Sequence, residues 1–393
     1  MKIKNIKIKN ITAALLTVCL MACCLFGCGG GMDKADSSGA DSSAGDVFID
    51  SYEQDQESYY VAGLDGITKS EDGSRRKFII DAGVGADGAL AIAMMAKADN
   101  IELMGVTCVE GNSTIENEAR AALMTLEMCG VTDVPVYLGE YLPDHDLRDN
   151  IVSVFGQDGM GDQDLIHPTG DFAEGDAAQF IVDTVNANPG EVEIMMIGPA
   201  TDIAAALDID PDLLDKVRML WIMGTTGYGQ GNATPVAEFN VYNDVTSFAR
   251  VLDEAPNTII VPFALSHEVG YFNGAELDEM IAEGGLAEFI ARSFAGLRSY
   301  NADNYGGEYV DMCDAVLAAV AIDEDLVLDS ESVAAVCVTD EGLCYGSVIY
   351  YEEEYVYETM PNIGEYNDRL IMKMDKQAFR QLIEKTFEQG GQD

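Results

Sequence analysis

From residue 77 onward the apolar positions follow two rhythms. Short, nearly unbroken apolar runs predict buried strands over residues 78–81, 101–108, 134–138, 192–197, 217–223 and 258–262. Longer segments with apolar residues at helical spacing predict helices over 89–98, 115–129, 177–187 and 201–208. Strands separated by helices of about 10–15 residues make βαβ units. The fold class is therefore α/β, a mainly parallel central sheet flanked by helices and Rossmann-like in plan. Ligands of such sheets lie beyond the carboxyl ends of the strands. That rule directs attention to the loops after Ile80, Cys108, Ile197 and Met223. Residues 373–387 read as an amphipathic helix closing the domain.

The pattern before residue 76 is different. Lys2, Lys4, Lys7 and Lys9 precede an apolar run over residues 11–26, and Leu25-Phe26-Gly27-Cys28 follows at its end. A basic start, a short apolar stretch and a small residue before a cysteine predict an export signal over residues 1–27. Leu-x-Gly-Cys resembles the bacterial lipobox, which implies lipid on Cys28 and a site of residence on the extracytoplasmic face of the cell membrane. Residues 28–75 are rich in Gly, Ser, Asp and Ala, as in Ser37-Ser38-Gly39-Ala40-Asp41. Such a segment buries no core and is expected to be a flexible acidic tether. Residues 76–390 form the folded domain.

Composition sharpens this picture. With 393 residues and 48% hydrophobic content, the chain can build one large α/β domain plus the leader and tether. Loss of the leader removes four lysines and no acid, taking the net charge from −47 to −51. Charge of that sign excludes nucleic acid as a partner and disfavours anionic lipid surfaces. Beyond the leader and Cys28 the cysteines are Cys108, Cys129, Cys313, Cys337 and Cys344, a scatter with neither a disulfide framework nor zinc spacing. Cys337 and Cys344 flank the turn Asp340-Glu341-Gly342, where either a cross-strand disulfide or two small buried thiols fits.

Six blocks in order carry the chemistry. The first is Asp81-Ala82-Gly83-Val84-Gly85-Ala86-Asp87-Gly88, and Gly111-Asn112 follows the second strand. Next come Gly156-Gln157-Asp158-Gly159-Met160-Gly161 and Ile197-Gly198-Pro199-Ala200-Thr201-Asp202-Ile203-Ala204. The longest runs from Met223-Gly224 to Gly231-Asn232-Ala233-Thr234-Pro235-Val236-Ala237-Glu238-Phe239-Asn240, and Cys313-Asp314-Ala315 closes the series. The set resembles the inosine-uridine-preferring nucleoside hydrolases over most of residues 77–390. In that family the first block reads D-x-D-x-x-x-D-D. Here Gly83 and Gly88 stand in place of two of its aspartates.

The resemblance implies an activity and a site. The reaction is hydrolysis of the N-glycosidic bond of a ribonucleoside to base and ribose, through an oxocarbenium-like transition state. Asp87, Asn112, Met223, Asn232, Glu238, Asn240 and Asp314 are implied to hold the ribose. Asp87 and Asp314 are the implied catalytic carboxylates. The family's metal is Ca²⁺, which takes about six to eight oxygen ligands. Asp87, the Ile197 carbonyl and Asp314 are what remain to bind it, because Gly83 replaces the aspartate that is both ligand and general base and Gly88 replaces a second chelating aspartate. Asp81 or Asp158 is the candidate substitute base, although a turn or helix-cap role, orienting the loop, suits Asp81 better. On the leaving-group side Phe155 and Cys313 stand where the family has histidines, Cys313 as a small buried filler. Tyr300 and Tyr305 are candidates for stacking on the base, and none of His145, His167 and His267 matches a catalytic position. Two functions follow, a nucleosidase or a non-catalytic lipoprotein that binds a nucleoside or other riboside. The resemblance also implies self-association as a homo-oligomer.

Overall fold

A computed structural model describes residues 67–68, 73–142, 148–352 and 367–388. The expected leader, Cys28 and most of the tether lie outside the described residues. Ile67 and Thr68, which composition assigns to the tether, pack on the domain. The Thr68 backbone N–H donates to Glu324 at 3.0 Å, and Arg218 donates to the Ile67 carbonyl at 3.2 Å.

The strands are β1 (Arg76–Ala82), β2 (Ile101–Cys108), β3 (Val136–Leu138), β4 (Val192–Ile197), β5 (Met219–Met223), β6 (Thr258–Val261), β7 (Tyr271–Asn273), β8 (Tyr309–Asp311), β9 (Val327–Cys337), β10 (Val348–Tyr351) and β11 (Asp368–Met374). One sheet has the order β10-β9-β11-β6-β5-β4-β1-β2-β3, while β7 and β8 form a separate hairpin. Strands β3 through β11 in that order run parallel, and β9 and β10 add an antiparallel edge. This is the mainly parallel α/β sheet expected from the sequence.

Alternation along β1 builds both layers of the core. Phe78 and Ile80 face one side of the sheet, packed with helices Ala86–Lys97 and Cys313–Ile322. Ile79 faces the other, packed with helices Ala177–Ala187, Thr201–Ile209 and Val245–Glu254. Beneath the sheet, Glu193 on β4 accepts two bonds from Arg76, at 2.9 and 2.6 Å, and one from the Trp221 indole at 2.7 Å.

Three details differ from the sequence reading. Residues 373–374 belong to β11, so the closing helix is Lys376–Glu388. Cys337 lies opposite Val348 in the β9–β10 register, and Cys344 sits exposed in the turn between them. The two thiols are therefore free, and only Cys337 is half-buried. Asp81 is a strand residue, fully buried near the end of β1, and neither a turn nor a cap residue.

Candidate active site

The chain runs β1, β2, β3 toward one edge of the sheet and then β4, β5, β6 toward the other. The order reverses between β1 and β4, which is where such a sheet opens a crevice. The exits of these two strands touch. The Gly83 N–H donates to the Ile197 carbonyl at 3.4 Å. A Cβ on Gly198 would lie 2.5 Å from the Gly83 nitrogen, so only glycine permits the approach. Above it lies a cavity of about 900 Å³.

All the residues named for ribose or metal, Asp87, Asn112, Ile197, Met223, Asn232, Glu238, Asn240 and Asp314, line that cavity. Asp87 starts helix Ala86–Lys97 and Asp314 starts helix Cys313–Ile322. The Asp314 N–H donates to Asp87 Oδ2 at 3.4 Å, joining residues 227 apart in sequence. Several wall residues also tie their own loops. Asn112 Nδ2 donates to the Gly83 carbonyl at 2.7 Å, and the Phe239 N–H donates to Asn232 at 2.8 Å. Glu238 caps helix Phe239–Asn243, accepting from the Val241 N–H at 3.2 Å, and Asn240 donates to the Met223 carbonyl at 3.2 Å.

Burial dominates the electrostatics. It raises the Asp87 carboxyl to about 6 against the pull of nearby backbone N–H groups, and Glu238 to about 7. Asp314 is pushed well above the usual carboxylate range, first by burial and then by the charges of Asp87 and Glu238. No lysine or arginine lines the cavity among the described residues. The floor is therefore a cluster of reluctant acids.

Among the described residues, no three His, Cys, Asp or Glu side chains converge as a metal would require. Asp87 and Asp314 supply carboxylates, and the Ile197 carbonyl is engaged by Gly83. That donor set falls well short of the six to eight oxygens Ca²⁺ takes, so the side chains present do not fit a bound Ca²⁺.

Asp81 and Asp158 do not line the cavity. Asp158 accepts from the N–H groups of Met160 and Asp162 within its own loop, at 2.8 and 2.9 Å. Asp81 lies beneath the crevice, where it accepts from Thr107 at 2.7 Å and meets the carboxyl of Asp202. Asp202 accepts from the Glu140 N–H at 2.6 Å, and the Oδ2 atoms of both acids are buried with no other donor. Burial raises both carboxyls, Asp81 to about 7 and Asp202 well above the usual carboxylate range, where the charge of Asp81 adds to the effect.

Phe155, Cys313, Tyr300 and Tyr305 all line the cavity, and burial raises the Cys313 thiol well above its ordinary value. Sequence reasoning set His267 aside and missed Asp311, Phe263 and Tyr309, all of which also line it. One signal was available: His267 lies shortly after the carboxyl end of a predicted strand, the place where such sheets put their ligands.

A doubly wound, mainly parallel sheet with an acid-floored, aromatic-walled cavity at its switch point defines an α/β protein with a small-molecule site. The comparisons make that class specific. Residues 78–381 match the inosine-uridine preferring nucleoside hydrolase family, and the chain belongs to it. It is 30% identical over 278 residues to a pyrimidine-specific ribonucleoside hydrolase of Escherichia coli, covering 70% of this chain and 87% of that one. It is 29% identical over 276 residues to a probable uridine nucleosidase of Oryza sativa subsp. japonica, covering 70% and 85%. Among solved structures, a purine-preferring ribonucleoside hydrolase from Gardnerella vaginalis superposes with a TM-score of 0.71 at 22% identity, covering 80% of this chain and 98% of that one. The family's activity is hydrolysis of ribonucleosides, and its members are typically Ca²⁺-dependent.

Proposed function

We propose that this chain cleaves the N-glycosidic bond of ribonucleosides with Asp87 as the group that activates water. The observation carrying this reading is the meeting of Asp87 and Asp314 on one cavity floor. Cleavage builds positive charge on the ribose, and a buried anion beside it is stabilising in a site shielded from water. A base works best when its pKa lies near the operating pH, and Asp87 at about 6 meets that condition. Asp314 and Glu238, which hold their protons more tightly, are suited to donate hydrogen bonds to ribose hydroxyls. Asn112 and Asn240 add amide contacts, and Met223 gives the sugar an apolar face. Gly83 and Gly88 remove the carboxylates that would complete a Ca²⁺ site, so the scheme rests on the chain's own groups. The leader and Leu25-Phe26-Gly27-Cys28 support placement as a lipoprotein outside the membrane.

The test is ribose release from purine and pyrimidine nucleosides across pH. Release should rise with pH through about 6 as Asp87 ionises, and Asp314→Ala should lower it by about 10²-fold or more. Folded protein that releases no ribose would sink the hydrolytic reading and leave riboside binding.

A further inference from the structure

We propose that His267, oriented by Asp311, is the acid that protonates the departing base, an assignment that rests on the nucleosidase reading above. His267 sits on helix Phe263–Val269, which leaves the carboxyl end of β6, and it lines the same cavity as Asp87 and Asp314. Its Nδ1 lies 3.0 Å from Asp311 Oδ1. That oxygen is buried and accepts no hydrogen bond of good geometry among the described residues, so the imidazole nitrogen beside it is the nearest group able to satisfy it. The Nδ1 edge of the ring is the one beside Asp311, which leaves Nε2 outside the pair. The exposures agree, with 51% of the imidazole open and 16% of the carboxylate. Both residues line the cavity, with the carboxylate the more buried of the two and the imidazole the more open, an arrangement that suits an imidazole acid held by a carboxylate.

The pair is beside the acidic floor. Asp311 ends β8, three residues before Asp314, and its charge is felt at both Asp87 and Cys313. The Phe263 ring lies 5.9 Å from the imidazole, and Tyr309 lines the same cavity, so a planar base has apolar walls next to the acid. The other charged group acting on His267 is Lys376, whose Nζ donates to the Glu268 carbonyl at 2.8 Å. Asp311 outweighs it together with burial, and the imidazole holds its proton more tightly than a free histidine. Phe155 and Cys313, at the positions where the resemblance places histidines, offer no comparable donor: one has no proton to give and the other is a very weak acid.

In the step, the bond from C1′ to the base nitrogen breaks and its electron pair leaves with the base. The Nε2–H of protonated His267 passes its proton to the base. A water oxygen bonds to C1′ and its displaced proton goes to the Asp87 carboxylate, then to solvent. Solvent returns a proton to His267, so one water is consumed and one nucleoside becomes base and ribose.

The experiment compares the full chain with His267→Gln and Asp311→Asn, on inosine, on uridine and on a p-nitrophenyl riboside. The aryl leaving group departs as a stable anion and needs no proton. His267→Gln should lose about 10²–10⁴-fold in kcat on the nucleosides while cleaving the aryl riboside at close to the original rate. Asp311→Asn should move the alkaline limb of kcat/KM to lower pH, because the imidazole loses the carboxylate that favours its charged form. Equal losses on nucleosides and aryl riboside would mean a structural role and overturn the assignment. Unchanged nucleoside cleavage in His267→Gln would overturn it too, with the nucleosidase reading intact. An unsubstituted chain that releases ribose from neither nucleoside would overturn the nucleosidase reading, and this assignment with it.

Discussion

Asp87, Asp314 and Glu238 face one another without a lysine or arginine among the described residues of the cavity wall, and that imbalance makes the two glycines informative. A Cβ at Gly83 would make only ordinary contacts of 3.6–3.7 Å, while one at Gly88 would lie 3.3 Å from Asp314 Oδ2. A side chain can start freely at Gly83 and tightly at Gly88, and the five clustered acids that two new aspartates would make need a cation to offset their repulsion. Gly83→Asp with Gly88→Asp should therefore create Ca²⁺-dependent stability, about 2.7 kcal/mol at a hundredfold excess over Kd. A thermal melt that ignores Ca²⁺ in the double variant would sink this expectation. The Asp81–Asp202 pair makes a second prediction at this scale. Both acids hold their protons more tightly in the folded chain, and the folded value of Asp81 is raised from 3.8 to about 7. Below pH 4 both folded and unfolded chains hold these protons and the stability is fully present. As pH rises toward 7 the unfolded chain releases them first, so stability is lost through that window. Asp202→Asn keeps the acceptor for Glu140 and gives Asp81 a permanent donor. The variant should melt higher than the parent at pH 8, by roughly 2–4 °C per kcal/mol recovered, with the gap closing toward pH 4. A gap that stays constant with pH would show that these two acids do not set the pH dependence.

Loops at the carboxyl ends of β1, β2, β4, β5 and β6 meet at the cavity, while β8, paired with β7, adds Tyr309 and Asp311 to its wall. Gly270 joins the two groups. Its N–H donates to the Ser266 carbonyl at 2.7 Å, and its own carbonyl accepts from the Met312 N–H at 2.9 Å. A Cβ there would press on the Ser266 and Met312 backbones at 2.8 and 3.0 Å. Gly270→Ala should thus destabilise the domain by about 1–3 kcal/mol and shift His267 away from Asp311. Urea unfolding and nucleoside turnover check both halves, and an unperturbed variant would show that this junction tolerates movement. The strands and helices that form this wall were not legible in the sequence. The strands β7 and β8 have three residues each, too short for periodicity to register. Helix Cys313–Ile322 is buried on every side, with nine of its residues inaccessible, so it lacks the polar stripe that marks an amphipathic helix. The parallel core was legible because β1, β4 and β6 are almost wholly buried, and such strands appear as plain apolar runs.

At the scale of the whole molecule, the described residues contain no helix long and apolar enough to cross a membrane, and the expected attachment rests on Cys28 alone. Cys28→Ser should move the protein from the membrane fraction to the soluble fraction of cells, and continued sedimentation with membranes would refute the lipid anchor. Local sequence determined the strands of the parallel sheet, the glycine-rich exits and the identity of the acids at those exits. Those are short-range properties, set by side-chain size, period and backbone freedom. Tertiary structure alone decided which acids meet. It set Asp87 against Asp314, tucked Asp81 under the crevice with Asp202, and brought His267 to Asp311 across 44 positions of chain. Such pairings depend on strand order and on where loops cross the sheet, and no local pattern encodes either. Burial then sets the acidities, because the cost of a charge depends on everything packed around it.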